Sequence, residues 1–197
     1  MTITTRDDLP ALLTHHRLTR LGVELGVELG VELGVELGVE LGVELGVELG
    51  VAGGAYSEHL LSHAPIRRLY SIDAWSGDRG HDIVQCDAAT RRLSKYGTRS
   101  IVLRARFQEA LALFGDGALD FVYVDGYAHQ GNEGGETLRQ WWEKVRPGGI
   151  LAGHDYHPQW EKNLAAVDAF RQAQADHISQ FQVTSDDPFP SWVAVKG

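Results

Sequence analysis

Four short segments of this 197-residue chain carry residues able to do chemistry: the run Glu48-Leu49-Gly50-Val51-Ala52-Gly53-Gly54, then Asp73, Asp125, and the pair His154-Asp155. A glycine run lets a backbone turn tightly and come close to a ligand. This one is not the dinucleotide fingerprint, because the middle glycine of G-x-G-x-x-G falls on Ala52, and no Gly-Lys-Ser/Thr follows to make a phosphate loop. Asp73 lies about 20 residues further on, after an apolar run, and suits a carboxylate that accepts hydrogen bonds from both hydroxyls of a ribose. Helix capping is the plainer use of such an acid.

Each of these segments falls at the end of a predicted strand. Residues 47–51 form an apolar strand leading into the glycine turn, and a helix follows with Ser57 as its cap. Residues 69–73, 100–103, 119–125 and 150–153 are further strands. Helical segments near 86–96, 107–114, 135–145 and 164–175 alternate with them, after a leading helix near 7–19. Residues 178–184 and 191–196 close the chain as a pair of strands. The pattern predicts an α/β fold: a three-layer, doubly wound, mainly parallel sheet with an antiparallel closing strand. Ligands of such sheets bind outside the carboxyl ends of the strands, the edge on which the four segments converge.

From Leu21 to Glu48 the tetrapeptide LGVE is repeated seven times, with Leu49-Gly50-Val51-Ala52 as a degenerate eighth copy. On a helix its leucine stripe would drift by ~40° per copy and leave no lasting apolar face. On a strand, Leu and Val fall on one face and Gly and Glu on the other. A single strand of all seven copies would reach roughly 90 Å, so it cannot all be one strand. We read it as a tandem expansion of the first strand. The organisation expected is a leading helix over 1–20, a repeat insertion over 21–44 and a ligand-binding domain over 45–197. The last copy makes the central strand, because it alone joins the glycine turn.

Composition limits the function classes. The net charge is −9, and six of those charges belong to surplus repeat copies, leaving −3; no basic motif supports nucleic-acid binding. No apolar run approaches the roughly 20 residues needed to span a bilayer, and no basic-then-apolar leader opens the chain. The single cysteine, Cys86, excludes an internal disulfide and a thiolate metal cluster. The expectation is a cytoplasmic protein acting on small molecules, with no nucleic-acid or membrane partner and with homo-oligomerisation left open. Trp141-Trp142 is expected to divide between the core and a partly exposed face, and Arg67-Arg68 and Arg91-Arg92 to lie on solvated helix faces. His15-His16 makes no metal pair, because neighbours on a helix diverge by about 100°.

The spacing E-x-G-x-x-x-G-x-x-S over Glu48, Gly50, Gly54 and Ser57 resembles the first motif of class I S-adenosylmethionine-dependent methyltransferases. The resemblance continues through SIDAW (71–75), RFQEAL (106–111), DFVYVDGYAH (120–129) and VRPGGILAGHDY (145–156). It covers residues 45–197 and the leading helix, and points to the bacterial branch that methylates small molecules. The resemblance implies methyl transfer to a small-molecule acceptor, at a hydroxyl oxygen. It places Gly50 and Gly54 against the methionine portion of the cofactor, with Glu48 holding its amino group through water, and counts Ser57 among the cofactor-binding residues. Asp73 would hold the ribose, Ala74 or Trp75 would cover an adenine face, and Phe107 and Gln108 would enclose the adenine edge. Asp125 would lie beside the sulfonium, where an anion favours a cationic ligand.

A hydroxyl acceptor must also lose its proton, to a base or with the help of a metal. The resemblance offers Asp125 and His129 for catalysis, with His157 as a weaker base. It offers Asp125, His154 and Asp155 for Mg²⁺. Two departures bear on this: His154 stands where an acid is frequent, and His129 comes one residue later than the usual histidine. The alternatives are a nicotinamide oxidoreductase on a similar fold, which Ala52 disfavours, and a cofactor-binding or scaffolding protein whose activity the repeat expansion impaired.

Overall fold

The computed structural model describes residues 1–15, 43–77, 80–126 and 133–197. The repeat copies up to residue 42 and the candidate base His129 lie outside the described residues. The strands are β1 (Val43–Leu49), β2 (Ile66–Asp73), β3 (Ser100–Arg104), β4 (Leu119–Val124), β5 (Val145–Gly153), β6 (Ile178–Val183) and β7 (Trp192–Lys196). Between them run α1 (Ala55–His63), α2 (Ile83–Leu93), the short α3 (Phe107–Ala110), α4 (Glu136–Lys144) and α5 (Glu161–Ala173). They build one seven-stranded sheet in the order β3-β2-β1-β4-β5-β7-β6. Neighbours from β3 through β5 pair in parallel, and β7 runs antiparallel between β5 and β6. The three-layer, doubly wound arrangement expected from the sequence is present, and β1 and β4 lie side by side at its centre.

Both faces of the sheet are covered, so the central strands are apolar on both sides. On β4, Phe121 and Tyr123 pack into the layer formed by α1 and the helical segment 9–15. Val122 and Val124 pack into the opposite layer, with Trp141 and Trp142 of α4 and Val167 and Phe170 of α5. The repeat's strand pattern holds in β1: Leu45, Val47 and Leu49 face the second layer. Gly46 faces the first, so close that a Cβ there would lie 3.3 Å from Leu69 and 3.4 Å from Phe121. β1 starts at Val43, two residues inside the segment assigned to the insertion.

Several expectations are corrected. Ser57 does not cap α1, because Gly54 starts the helix with a left-handed φ of +78° and no side chain caps it. Trp141 and Trp142 are both buried, with no exposed face between them. Arg67 and Arg68 lie on β2 rather than a helix, both exposed. α2 begins at Ile83, earlier than the apolar pattern suggests, because Asp82 caps it by accepting from the N–H groups of Val84 and Gln85. Among the described residues no helix is long and apolar enough to cross a membrane.

The N-terminal segment is sewn to the far end of the chain. The Ile3 N–H donates to Gln182 Oε1 (3.2 Å), and the Thr4 carbonyl accepts from the N–H groups of Ser185 and Asp186 (both 3.0 Å). The Arg6 N–H donates to Asp187 Oδ2 (2.7 Å). Leu9, Leu12 and Leu13 are then buried in the α1 layer.

Candidate functional site

The carboxyl ends of β1, β2, β4 and β5 bring Gly50–Gly54, Asp73, Asp125 and His154-Asp155 to one edge. Two backbone bonds tie the first three together: the Gly50 N–H donates to the Ile72 carbonyl (2.9 Å) and the Asp125 N–H to the Leu49 carbonyl (2.8 Å). Gly50 has φ +89°, and a Cβ on it would come within 2.4 Å of the Asp125 carbonyl oxygen. Its glycine is therefore required by the neighbouring strand end as much as by any ligand. Gly50→Ala is expected to cost about 3 kcal/mol or more of stability, from a strained φ together with a backbone clash. Urea unfolding of the variant checks this. Gly53, by contrast, has nothing within 4 Å of a Cβ among the described residues.

Asp73 braces this turn from below. Its Oδ2 accepts from the N–H groups of Val51 (3.0 Å) and Ala52 (3.1 Å) and meets His81 Nδ1 at 3.0 Å, while Oδ1 accepts from the Trp75 N–H (3.0 Å). Burial pushes the carboxyl up, but these donors outweigh it and hold Asp73 below the usual carboxylate range. Trp75, expected over an adenine face, is instead buried against Val51 and Ala89, and its indole N–H donates to the Ala52 carbonyl (3.0 Å). Ala74 is half-buried. The Phe107 ring lies so close to Gly126 that a Cβ there would meet it at 2.8 Å, which puts the ring beside Asp125-Gly126. Gln108 is exposed, with Nε2 3.4 Å from Thr137 Oγ1.

Beneath the turn lies a buried polar cluster. Glu48 accepts from the Ser57 hydroxyl, and Ser57 lies 2.8 Å from Ser71, the register partner of Glu48 on β2. Ser57 thus supports Glu48 and is itself fully buried. Burial pushes the Glu48 carboxyl up to about 8, against the Ser57 hydrogen bond, so it holds its proton at neutral pH.

The third cluster surrounds Asp125. His154 Nδ1 sits 3.6 Å from Asp125 Oδ1 and 3.2 Å from Asp155 Oδ1. Burial alone would lower the imidazole, but the two carboxylates outweigh it and raise His154 to about 9. Asp155 adopts φ +59°, and Asn163 Nδ2 clamps this corner by donating to the carbonyls of His154 (3.2 Å) and Asp155 (3.0 Å). From the N-terminal segment, Arg6 Nη1 reaches 3.5 Å from Asp125 Oδ2. A small recess is lined here by Val124, Asp125, Gly126, His154, Asp155 and Trp192, among others. His157 is engaged elsewhere: Nδ1 accepts from the Gln159 N–H (3.1 Å) and the ring packs on Phe189.

Ligand atoms of Asp125, His154 and Asp155 do converge, all within 4.8 Å of one another. Their chemistry does not suit Mg²⁺, which takes oxygen ligands in octahedral array. One of the three donors is an imidazole nitrogen, and a guanidinium flanks the remaining Asp125 oxygen.

The strand-end acids were legible in the sequence; Arg6, His81 and Asn163 were not. Arg6 lies 119 positions from Asp125 in an ordinary polar stretch, and no local pattern marks it. His81 follows a Gly-rich link after Asp73, and the proximity of an imidazole to a strand-end acid is the one signal that singles it out.

The sequence matches a family profile described as "Methyltransferase domain" over residues 23–156. A search of curated protein sequences returns no match. Solved structures with similar folds include an O-methyltransferase from Bacillus cereus in complex with SAH. It is 15% identical, with a TM-score of 0.60, over 78% of this chain and 74% of that one. An rRNA methylase from Streptococcus thermophilus is 12% identical, with a TM-score of 0.57, over 78% and 86%. The precorrin 8W decarboxylase from Methanobacterium thermoautotrophicum is 19% identical, with a TM-score of 0.53, over 78% and 81%.

Proposed function

Because the chain belongs to the methyltransferase-domain family, we propose that it transfers a methyl group from S-adenosylmethionine to a hydroxyl oxygen of a small-molecule acceptor. One observation carries the reading: the Asp125 backbone is bonded to the β1 end and its side chain lines the recess, so an anion stands beside a tight glycine turn. When bound, S-adenosylmethionine supplies an electrophilic methyl group on a cationic sulfur. The chain's part is to hold, orient and keep dry, and positioning of this kind can remove several kcal/mol of barrier.

In this reading Gly50–Gly54 receive the methionine portion and Glu48 serves its amino group through water. Asp73, with its turn, sits at the ribose, and Ala74, Phe107 and Gln108 border the adenine. Asp125 stabilises positive charge at the reacting centre. Asp125 and His129, four residues on in sequence, are the proposed acceptors of the hydroxyl proton as the new C–O bond forms. Residues 45–197 with the leading helix make the transferase unit, and 21–44 are a tandem expansion of its first strand.

Calorimetry tests the reading. S-Adenosylmethionine and S-adenosylhomocysteine are expected to bind with micromolar affinity, equally with Mg²⁺ and with EDTA, since the donor set at Asp125 does not suit that ion. No heat at millimolar S-adenosylmethionine would sink the proposal.

A further inference from the structure

We propose that Arg6 is an acceptor-binding residue whose guanidinium takes a carboxylate of the methyl acceptor, so that the substrate class is hydroxy acids rather than neutral alcohols or phenols. The inference deepens the reading above and rests on it.

Arg6 is held in place from its backbone outward. Its N–H donates to Asp187 Oδ2 (2.7 Å) and its carbonyl accepts from the Tyr56 hydroxyl (3.0 Å), which fixes both sides of one residue on one edge of the sheet. The guanidinium carbon lies 4.0 Å from the centroid of the Tyr56 ring and 5.9 Å from that of Tyr123. Stacking on an aromatic face orients the planar group and leaves its N–H donors pointing outward around the rim.

A guanidinium carries five N–H groups. Among the described residues Arg6 donates no side-chain hydrogen bond. Its one charged contact, 3.5 Å to Asp125, is longer than the roughly 2.7–2.9 Å of a charge-assisted bond. The side chain is 26% exposed, and it points at the strand end that lines the recess. A half-buried, pre-oriented fork is the arrangement that recognises a planar carboxylate bidentately.

The test uses the full chain saturated with S-adenosylhomocysteine, with benzoate as a minimal carboxylate probe and benzamide as its neutral counterpart, titrated by calorimetry or ligand-observed NMR. Wild type is expected to prefer benzoate over benzamide by about tenfold or more, equivalent to the ~1.4 kcal/mol or more expected of a charge-assisted pair. Arg6→Gln should erase that preference while leaving benzamide binding and S-adenosylhomocysteine affinity within about threefold. Arg6→Lys, which keeps the charge but loses the fork, should retain part of it. The inference is overturned if wild type shows no preference for benzoate, or if the preference survives in Arg6→Gln, in which case Arg6 is only a structural counter-ion of Asp125. Were Arg6→Gln to fail to fold, the wild-type preference and its partial loss in Arg6→Lys would still decide. Failure of S-adenosylhomocysteine to bind wild type at all would count against the methyl-transfer reading itself, a separate result.

Discussion

Asp73→Ala is expected to lower stability by about 3 kcal/mol and to weaken S-adenosylhomocysteine binding about 100-fold. The alanine removes the acceptor for three backbone N–H groups, those of Val51, Ala52 and Trp75, and the partner of His81. Hydrogen bonds to a charged group contribute about 1.5–3 kcal/mol each, and a buried donor left unmatched costs desolvation besides. The total stays near 3 because the turn can relax and water can reach Ala52. A carboxylate has about four lone-pair sites, so four donors leave this one little capacity for a ribose hydroxyl, and bracing the turn is its first duty. Asp73→Asn should fall between, since an amide can accept on one side but meets N–H donors with its own N–H₂ on the other. Urea unfolding and calorimetry on both variants decide the matter. An Asp73→Ala protein that unfolds like wild type and binds the product normally would contradict the role.

The second large effect concerns pH. Glu48 holds its proton in the folded protein up to about pH 8, whereas in the unfolded chain it ionises near 4.5. Between those values the unfolded state releases a proton that the folded state keeps, so stability falls as pH rises and levels off above about 8. A shift of that size corresponds to roughly 5 kcal/mol across the window. Glu48→Gln preserves the shape and a hydrogen bond to Ser57 but does not titrate. It should match wild type near pH 4.5 and exceed it progressively, by a few kcal/mol, at pH 8.5. Urea midpoints for the two proteins at pH 5 and pH 8.5 measure this. Parallel profiles would show that Glu48 is not the group responsible.

These two residues also show where sequence reasoning reaches and where it stops. The period-two pattern of LGVE placed Leu45, Val47 and Leu49 on one face of β1 and Gly46 and Glu48 on the other, because side chains alternate along any strand. It did not show that the second face is as deeply buried as the first, since burial on that side depends on α1 and the 9–15 segment. Asp73, Asp125 and His154-Asp155 were legible as strand-end groups, because acids and a histidine at the ends of parallel strands share one edge. Their partners were not. Ser57 looked like a cap because serine before an apolar run usually is one, yet Gly54 can take the left-handed start and frees Ser57 to serve Glu48. The family resemblance put Trp75 or Ala74 over the adenine, and Trp75 is buried against Val51 and Ala89. Arg6 meets Asp125 through tertiary structure alone.

The stitching of the first residues to the β6–β7 connection has a consequence for how the protein is made. Ile3 and Gln182 are 179 positions apart, and Arg6 and Asp187 are 181 apart. At about 5–20 residues per second, the N-terminal segment leaves the ribosome roughly ten to forty seconds before its partners exist. β6 is synthesised before β7 but touches the sheet only through it, so β6 cannot join until β7 has zipped against β5. The parallel core with its glycine turn can therefore assemble on a nascent chain well before the stitching that holds Arg6 beside Asp125. The half of the site that would hold the cofactor is early, and the half that would choose the acceptor is completed last.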